Sequence, residues 1–255
     1  MSKFVSFITA GDPSLEKTRE FIDVLAQYSD IIEVGLPFSD PIAEGEVIQA
    51  ANMRALENGT TTDKVFDMLE TVTFDKMVIL TYANPVFVYG YDRFFERCQK
   101  CRVYGVIIPD LPFEERGEAA VYADKYGVNL ITLIAPTSED RVQMLAKGAT
   151  GFIYLVSSMG VTGARSEFDA GLRDIVEQIR EVTDVPVFIG FGISKPEQAA
   201  KMGEIADGVI VGSAFVKIIA QYDYDAVPYI KKLIKELTSF LGEYQENSQQ
   251  CIPAP

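Results

Sequence analysis

The 255-residue chain contains no histidine, no tryptophan and only three cysteines. Without an imidazole there is no Ser-His-Asp triad, no histidine-ligated metal and no histidine acid–base catalysis. Three thiols fall short of the four ligands a structural zinc ion takes. Cys98 and Cys101 form a C-x-x-C that reads as reduced thiols on a helix, with only Cys251 besides. Basic charge is scarce: 23 Lys and Arg stand against 37 Asp and Glu, a net charge of −14. Nucleic acid selects for the opposite sign. An anionic ligand must then be gripped by backbone N–H groups and local dipoles. Long apolar runs are missing too, none approaching the roughly 18 residues a membrane span needs. The opening Met1-Ser2-Lys3-Phe4 turns polar too early for a secretory signal. A cytoplasmic protein with no membrane and no nucleic-acid partner is the expectation. Carboxylates, Tyr, Lys, Ser and Thr are left to carry chemistry.

Apolar β-rich runs are present, and they alternate with amphipathic helical stretches along the whole length. Strands are expected at 4–9, 31–35, 77–82, 103–108, 129–134, 151–156, 186–190 and 208–211. Helices are expected at 14–27, 47–57, 62–69, 92–101, 113–126, 138–147, 167–181, 196–201 and 214–221, with a last amphipathic stretch from 226 to about 244. Runs such as Val78-Ile79-Leu80 and Gly208-Val209-Ile210-Val211 are apolar on both faces, as parallel strands sheathed by helices must be. Eight strand–helix units in about 250 residues fit an α/β chain folded as a single (β/α)8 barrel, the TIM barrel. An open doubly wound sheet is the alternative. Residues 1–244 read as one catalytic barrel domain and 245–255 as a disordered tail.

In such a barrel the loops leaving the carboxyl ends of the strands build the active site. Three of them carry glycine: Gly160-Val161-Thr162-Gly163, Gly190-Phe191-Gly192-Ile193-Ser194 and Gly212-Ser213. Glycine lets the backbone approach an anion, and a helix start supplies N–H donors and a positive dipole end. A phosphate site is the reading. Glu33 closes an apolar strand, where burial raises a carboxylate pKa and suits it to acid–base work near neutrality. Asp40 and Glu44 follow on a proline-punctuated loop able to close over a substrate. Asp12, Tyr82, Asn84, Asp110 and Tyr154 add polar groups at other strand ends, and Phe7, Leu80 and Phe191 suit either barrel filling or a flat aromatic ligand.

Together, Glu33-Val-Gly-Leu-Pro-Phe-Ser-Asp-Pro-Ile-Ala43, Thr81-Tyr-Ala-Asn-Pro85, Pro109-Asp-Leu-Pro112, Gly160-Val-Thr-Gly163, Gly190-Phe-Gly-Ile-Ser194 and Gly212-Ser213 closely resemble the tryptophan synthase α subunit, in the same order from about 4 to 219. The resemblance implies retro-aldol cleavage of indole-3-glycerol phosphate to indole and glyceraldehyde 3-phosphate, without metal or organic cofactor. It implies indole passing to a β subunit within an α2β2 assembly. By the same resemblance Glu33 is the proton-transferring acid–base and Tyr154 lies near the glycerol chain. Gly163, Gly192, Gly212 and Ser213 bind phosphate, and Thr162 positions the loop-two acid on closure. Pro37, Asp40, Asn84 and Pro112 lie in segments that face the β subunit.

The sequence departs from the family pattern in three places. Glu44 stands where an aspartate usually accepts the indole N–H, Glu46 stands where proline is usual, and Ser158 stands where many members carry arginine. The chain also starts close to strand one, so the family's extra N-terminal helix is expected to be lacking. The longer Glu44 leaves two readings open: an active lyase, or a catalytically weak subunit that mainly activates β. If the family geometry applies, Glu44→Asp preserves or raises activity.

Overall fold

A computed structural model describes residues 2–157, 165–190 and 192–250. Among the described residues nine strands form one parallel sheet: β1 (Lys3–Thr9), β2 (Ile31–Gly35), β3 (Met77–Leu80), β4 (Val103–Ile107), β5 (Asn129–Leu130), β6 (Thr132–Ile134), β7 (Ile153–Val156), β8 (Val187–Gly190) and β9 (Gly208–Val211). Their order is β5-β4-β3-β2-β1-β9-β8-β7-β6. The two ends of that ladder are consecutive in the chain, separated by Ile131 alone. What the sequence offers as one fifth strand is thus shared, β5 pairing with β4 and β6 with β7, and the ring closes through Ile131. The Ile131 amide donates to Val106 O at 2.9 Å, keeping the break in register. This is the (β/α)8 barrel.

Strand parity decides what faces inward, since successive side chains point to opposite faces. In β1, Phe4 and Ile8 pack outward under the helices, while Val5 and Phe7 join the inner cluster with Ile31, Leu80, Ile107 and Ile210. In β2, Ile32 and Val34 take the outer side. Glu33 therefore cannot avoid the lumen; it pairs in register with Phe7 and Val78. In β7, Tyr154 is inward between outward Ile153 and Leu155. Both members of the C-x-x-C, Cys98 and Cys101, are buried in the outer core with free thiols.

Several boundaries differ from the sequence expectation. The helix Ala83–Tyr89 was not among those expected. Proline is tolerated in a helix's first turn, where its missing N–H has no partner to lose. The stretches beginning at 113 and 138 open as 3-10 turns, Phe113–Glu115 and Pro136–Arg141, before the helices Gly117–Tyr126 and Val142–Lys147. The final helix runs Val227–Gln250, beyond the 244 read from its periodicity. Among the described residues no helix is long and apolar enough to cross a membrane.

Candidate active site

A cavity of about 510 Å³ opens at the carboxyl end of the barrel. Phe7, Glu33, Glu44, Leu80, Tyr154, Gly192, Gly212 and Ser213 all line it. These eight residues come from several segments spread along the sequence, and the structure brings them into one chamber. Thr162, Gly163 and Phe191, like Ser158, lie outside the described residues. Pro37, Asp40, Asn84 and Pro112 do not line the chamber; Asp40, Asn84 and Pro112 are exposed and Pro37 is partly so. Exposed Ile42, Phe87 and Val88 come from the same strand-end segments as Asp40 and Asn84. Asp12 and Asp110, flagged as strand-end acids, serve the scaffold. Asp12 pairs with Arg54 through two bonds of 2.9 and 2.8 Å, and Asp110 Oδ1 accepts the Ala83 amide at 2.8 Å where the helix Ala83–Tyr89 begins.

The chamber is divided by chemistry. At one side the helix Ser213–Tyr222 begins behind Gly212 with no side chain capping its first amides. Uncapped N–H groups at a helix start attract an anion through hydrogen bonding and the helix dipole together. Gly192 contributes a left-handed turn, φ +75°, which a side chain would strain. A Cβ on Gly212 would crowd Phe7 at 3.1 Å, so the backbone passes close to the β1 side chain there. By contrast, the amides of Ser194 and Lys195 are already taken by the Gln198 side chain, each at 3.1 Å. The open phosphate-type donors are therefore those after β9.

On the other side stand two carboxylates. Glu33 is 1% exposed and its Oε2 has no hydrogen-bond partner. Burial, with the charge of Glu44 second, pushes its pKa up to about 8. Burial likewise lifts Glu44 to about 7, opposed by hydrogen bonding from Asn52 and from Tyr82. Asn52 Nδ2 donates to Glu44 Oε2 at 2.6 Å. The Tyr82 hydroxyl also accepts the Ala43 amide at 3.3 Å, and its ring stacks on Phe38 at 5.2 Å, tying loop two to the end of β3. Burial, then the charge of Glu33, drives the Tyr154 hydroxyl well above its ordinary pKa, so it stays a proton donor. Leu80, Ile107, Leu133, Val156 and Ile210 supply apolar walls between these groups.

Sequence reasoning missed Asn52. The signal was there: Ile48, Ala51, Asn52 and Ala55 share one helical face, and an amide on a buried stripe needs a partner. It also missed Ile42, Ala43, Gly45 and Ile48 as walls of the chamber.

A (β/α)8 barrel with an open anion cradle after its last strand, and in the same apolar-walled chamber a buried carboxylic acid with one unpartnered oxygen, is a lyase-type site for a phosphorylated substrate with an apolar body. The family model "Tryptophan synthase alpha chain" matches residues 1–248. A tryptophan synthase alpha chain from Lacticaseibacillus casei is 50% identical over 238 residues, covering 92% of this chain and 90% of that protein. Among solved structures, the tryptophan synthase subunit alpha of Campylobacter jejuni is similar with a TM-score of 0.86 and 38% identity, covering 92% of this chain and 95% of that one. The structure described as the tryptophan synthase a2b2 complex of Pyrococcus furiosus is similar with a TM-score of 0.85 and 35% identity, covering 94% and 100%. The chain belongs to the tryptophan synthase alpha chain family, a family of lyases that cleave indole-3-glycerol phosphate.

Proposed function

We propose that the chain performs this cleavage with Glu33 as the mobile-proton residue and Glu44 as the electrostatic partner of the indole ring. The observation that carries the reading is the buried Glu33 carboxyl, with an unpartnered oxygen, in the same chamber as the uncapped helix start at Ser213. The phosphate sits on the open amides at Gly212 and Ser213, with Gly192 and Gly163 as the further phosphate-binding positions and Thr162 positioning the loop-two acid on closure. The indole lies between Phe7, Leu80 and the other apolar walls, beside Phe191.

With its pKa near 8, Glu33 is largely protonated at neutral pH and holds the proton that indole C3 must receive. Protonation there places positive charge on the ring nitrogen, and the Glu44 carboxylate accepts the ring N–H and stabilises that charge. The Glu33 carboxylate left behind then takes the proton of the glycerol hydroxyl next to C3. The electron pair of that oxygen becomes the aldehyde C=O as the carbon–carbon bond breaks, and the bonding pair returns to the ring as indole. The Tyr154 hydroxyl, held protonated, donates to the glycerol chain.

The exposed rim of Pro37, Asp40, Asn84 and Pro112, with apolar Ile42, Phe87 and Val88, supplies the face for a β subunit in an α2β2 assembly. The similar P. furiosus protein is described in such a complex. We place the enzyme in the cytoplasm. Indole release from indole-3-glycerol phosphate, measured alone and with β, tests the whole reading. Absence of release under both conditions, while β is still stimulated, would leave only the activator role.

A further inference from the structure

We infer that Asn52 is a positioning residue that aims Glu44, and that with Gln49 it adapts the helix Glu46–Glu57 to a glutamate at this place. The inference rests on the proposed role of Glu44 in the cleavage. Glutamate carries one more rotatable bond than aspartate, and fixing it costs more side-chain freedom. The helix fixes it at two points. Gln49 Nε2 donates to the Glu44 main-chain carbonyl at 2.7 Å, and Asn52 Nδ2 donates to Oε2 at 2.6 Å. Asn52 is itself 1% exposed, one of the buried residues of its helix with Ala51 and Ala55. The donor is neutral. It orients the carboxylate and leaves its negative charge for the ring cation, where a lysine or arginine would consume that charge.

The groups around Glu44 support this assignment. Glu33 faces it from β2, and the Tyr82 hydroxyl faces it from the end of β3. Asp110 acts on Tyr82 from beyond β4, and Asp40 and Glu46 lie on the loop and helix start next to Glu44. Among the described residues no lysine or arginine contributes to its titration. Of these, Asn52 is the strongest influence holding Glu44 ionised against burial.

A methylene exchange tests the assignment. Glu44→Asp withdraws the carboxylate from Asn52, and kcat is expected to fall roughly 10- to 100-fold, the loss that about 1 Å of misplacement brings. Adding Asn52→Gln moves that methylene to the amide side, and the double variant should recover a large part of kcat, although Asn52→Gln alone is harmful. In parallel, ¹³C-carboxyl titration of ligand-free protein, with the Glu44 signal identified by its loss in Glu44→Gln, should show the Asn52→Leu variant titrating at higher pH. Additive losses in the double variant, together with an unmoved Glu44 titration in Asn52→Leu, would overturn the inference. A wild-type protein that fails to cleave indole-3-glycerol phosphate while Asn52→Leu still moves the titration would instead sink the proposed function and leave the Asn52 hold intact.

Discussion

Tyr154 of β7 lies against Gly190 of β8 so closely that a Cβ on the glycine would meet the tyrosine Cζ at 2.6 Å. The two strands pair in register, Tyr154 opposite Phe188, and the Gly190 carbonyl is held by both the amide and the hydroxyl of Ser157 at 2.9 Å. Neither backbone can retreat cheaply, so the phenol ring must. Gly190→Ala is expected to cost about 1–3 kcal/mol of stability by overpacking and to lower kcat roughly tenfold or more by displacing the Tyr154 hydroxyl. Gly190→Ala placed in a Tyr154→Phe background should cost little further kcat. Chemical denaturation beside single-turnover kinetics measures both effects; a Gly190→Ala enzyme with full kcat would show that the hydroxyl position is immaterial.

Glu33→Gln keeps the shape of the buried side chain and removes the transferable proton. Cleavage should fall to the background of the assay while binding of a non-cleavable phosphate analogue survives. Stability should move the other way. The folded pKa near 8 lies above the unfolded value near 4.5, so the folded state binds the extra proton between those limits. Stability contributed by this group is then full below pH 4.5 and is lost as pH rises toward 8, on the order of 3 kcal/mol by pH 7. Glu44 acts with the same sign up to about 7. Denaturation midpoints of the wild type should fall from pH 5 to 8, and the Glu33→Gln curve should be flatter. Identical slopes would remove Glu33 as a buried titrating acid.

Much of the fold and of the site is legible in the sequence. The both-face apolar runs mark the strands and place Glu33 at the end of one, but with apolar neighbours on both faces only the closed ring shows that Glu33 is turned to the lumen. Glycine placement marked Gly192 and Gly212. What parity and spacing do not carry is pairing across the fold. Asp12 reads as a candidate acid at a strand end, and only the approach of Arg54, 42 residues on, turns it into scaffold. Asn52 reads as one more helix residue until loop two folds back on it. The split at Ile131 depends on the closing geometry of the ring rather than on any local breaker.

The activity profile with pH follows from the two carboxyls together. Delivery of a proton requires Glu33 protonated, with its limit near 8, and stabilisation of the ring cation requires Glu44 ionised, with its limit near 7. The productive form, one proton on the pair and placed on Glu33, is most populated between those values, so kcat should trace a narrow bell centred near 7.5. Asn52→Leu should push the acid limb upward and narrow the bell further. A flat profile from pH 6 to 9 would contradict the division of labour between the two acids.

The ion pair of Asp12 and Arg54 gives a prediction about scaffold rather than chemistry. Asp12 is 2% exposed, and both its oxygens face the guanidinium in the parallel two-bond geometry that makes Arg–carboxylate pairs strong. Arg54 leaves the same helix as Asn52, two residues on, and so ties that helix to the loop after β1. Arg54→Met keeps the aliphatic stem but abandons a buried carboxylate. The cost should be about 3 kcal/mol, the lower part of the range for breaking such a pair, because Arg54 is itself 37% exposed and water reaches its side. Asp12→Asn should cost less, since a neutral amide leaves no uncompensated charge behind. In Arg54→Met the helix loses its anchor beneath the Glu44 clamp, so kcat should fall with KM for the phosphate-bearing substrate nearly unchanged. Denaturant titration ranks the two variants. If Asp12→Asn proves the more damaging, the pair acts through the hydrogen bonds that Asp12 accepts rather than through its buried charge.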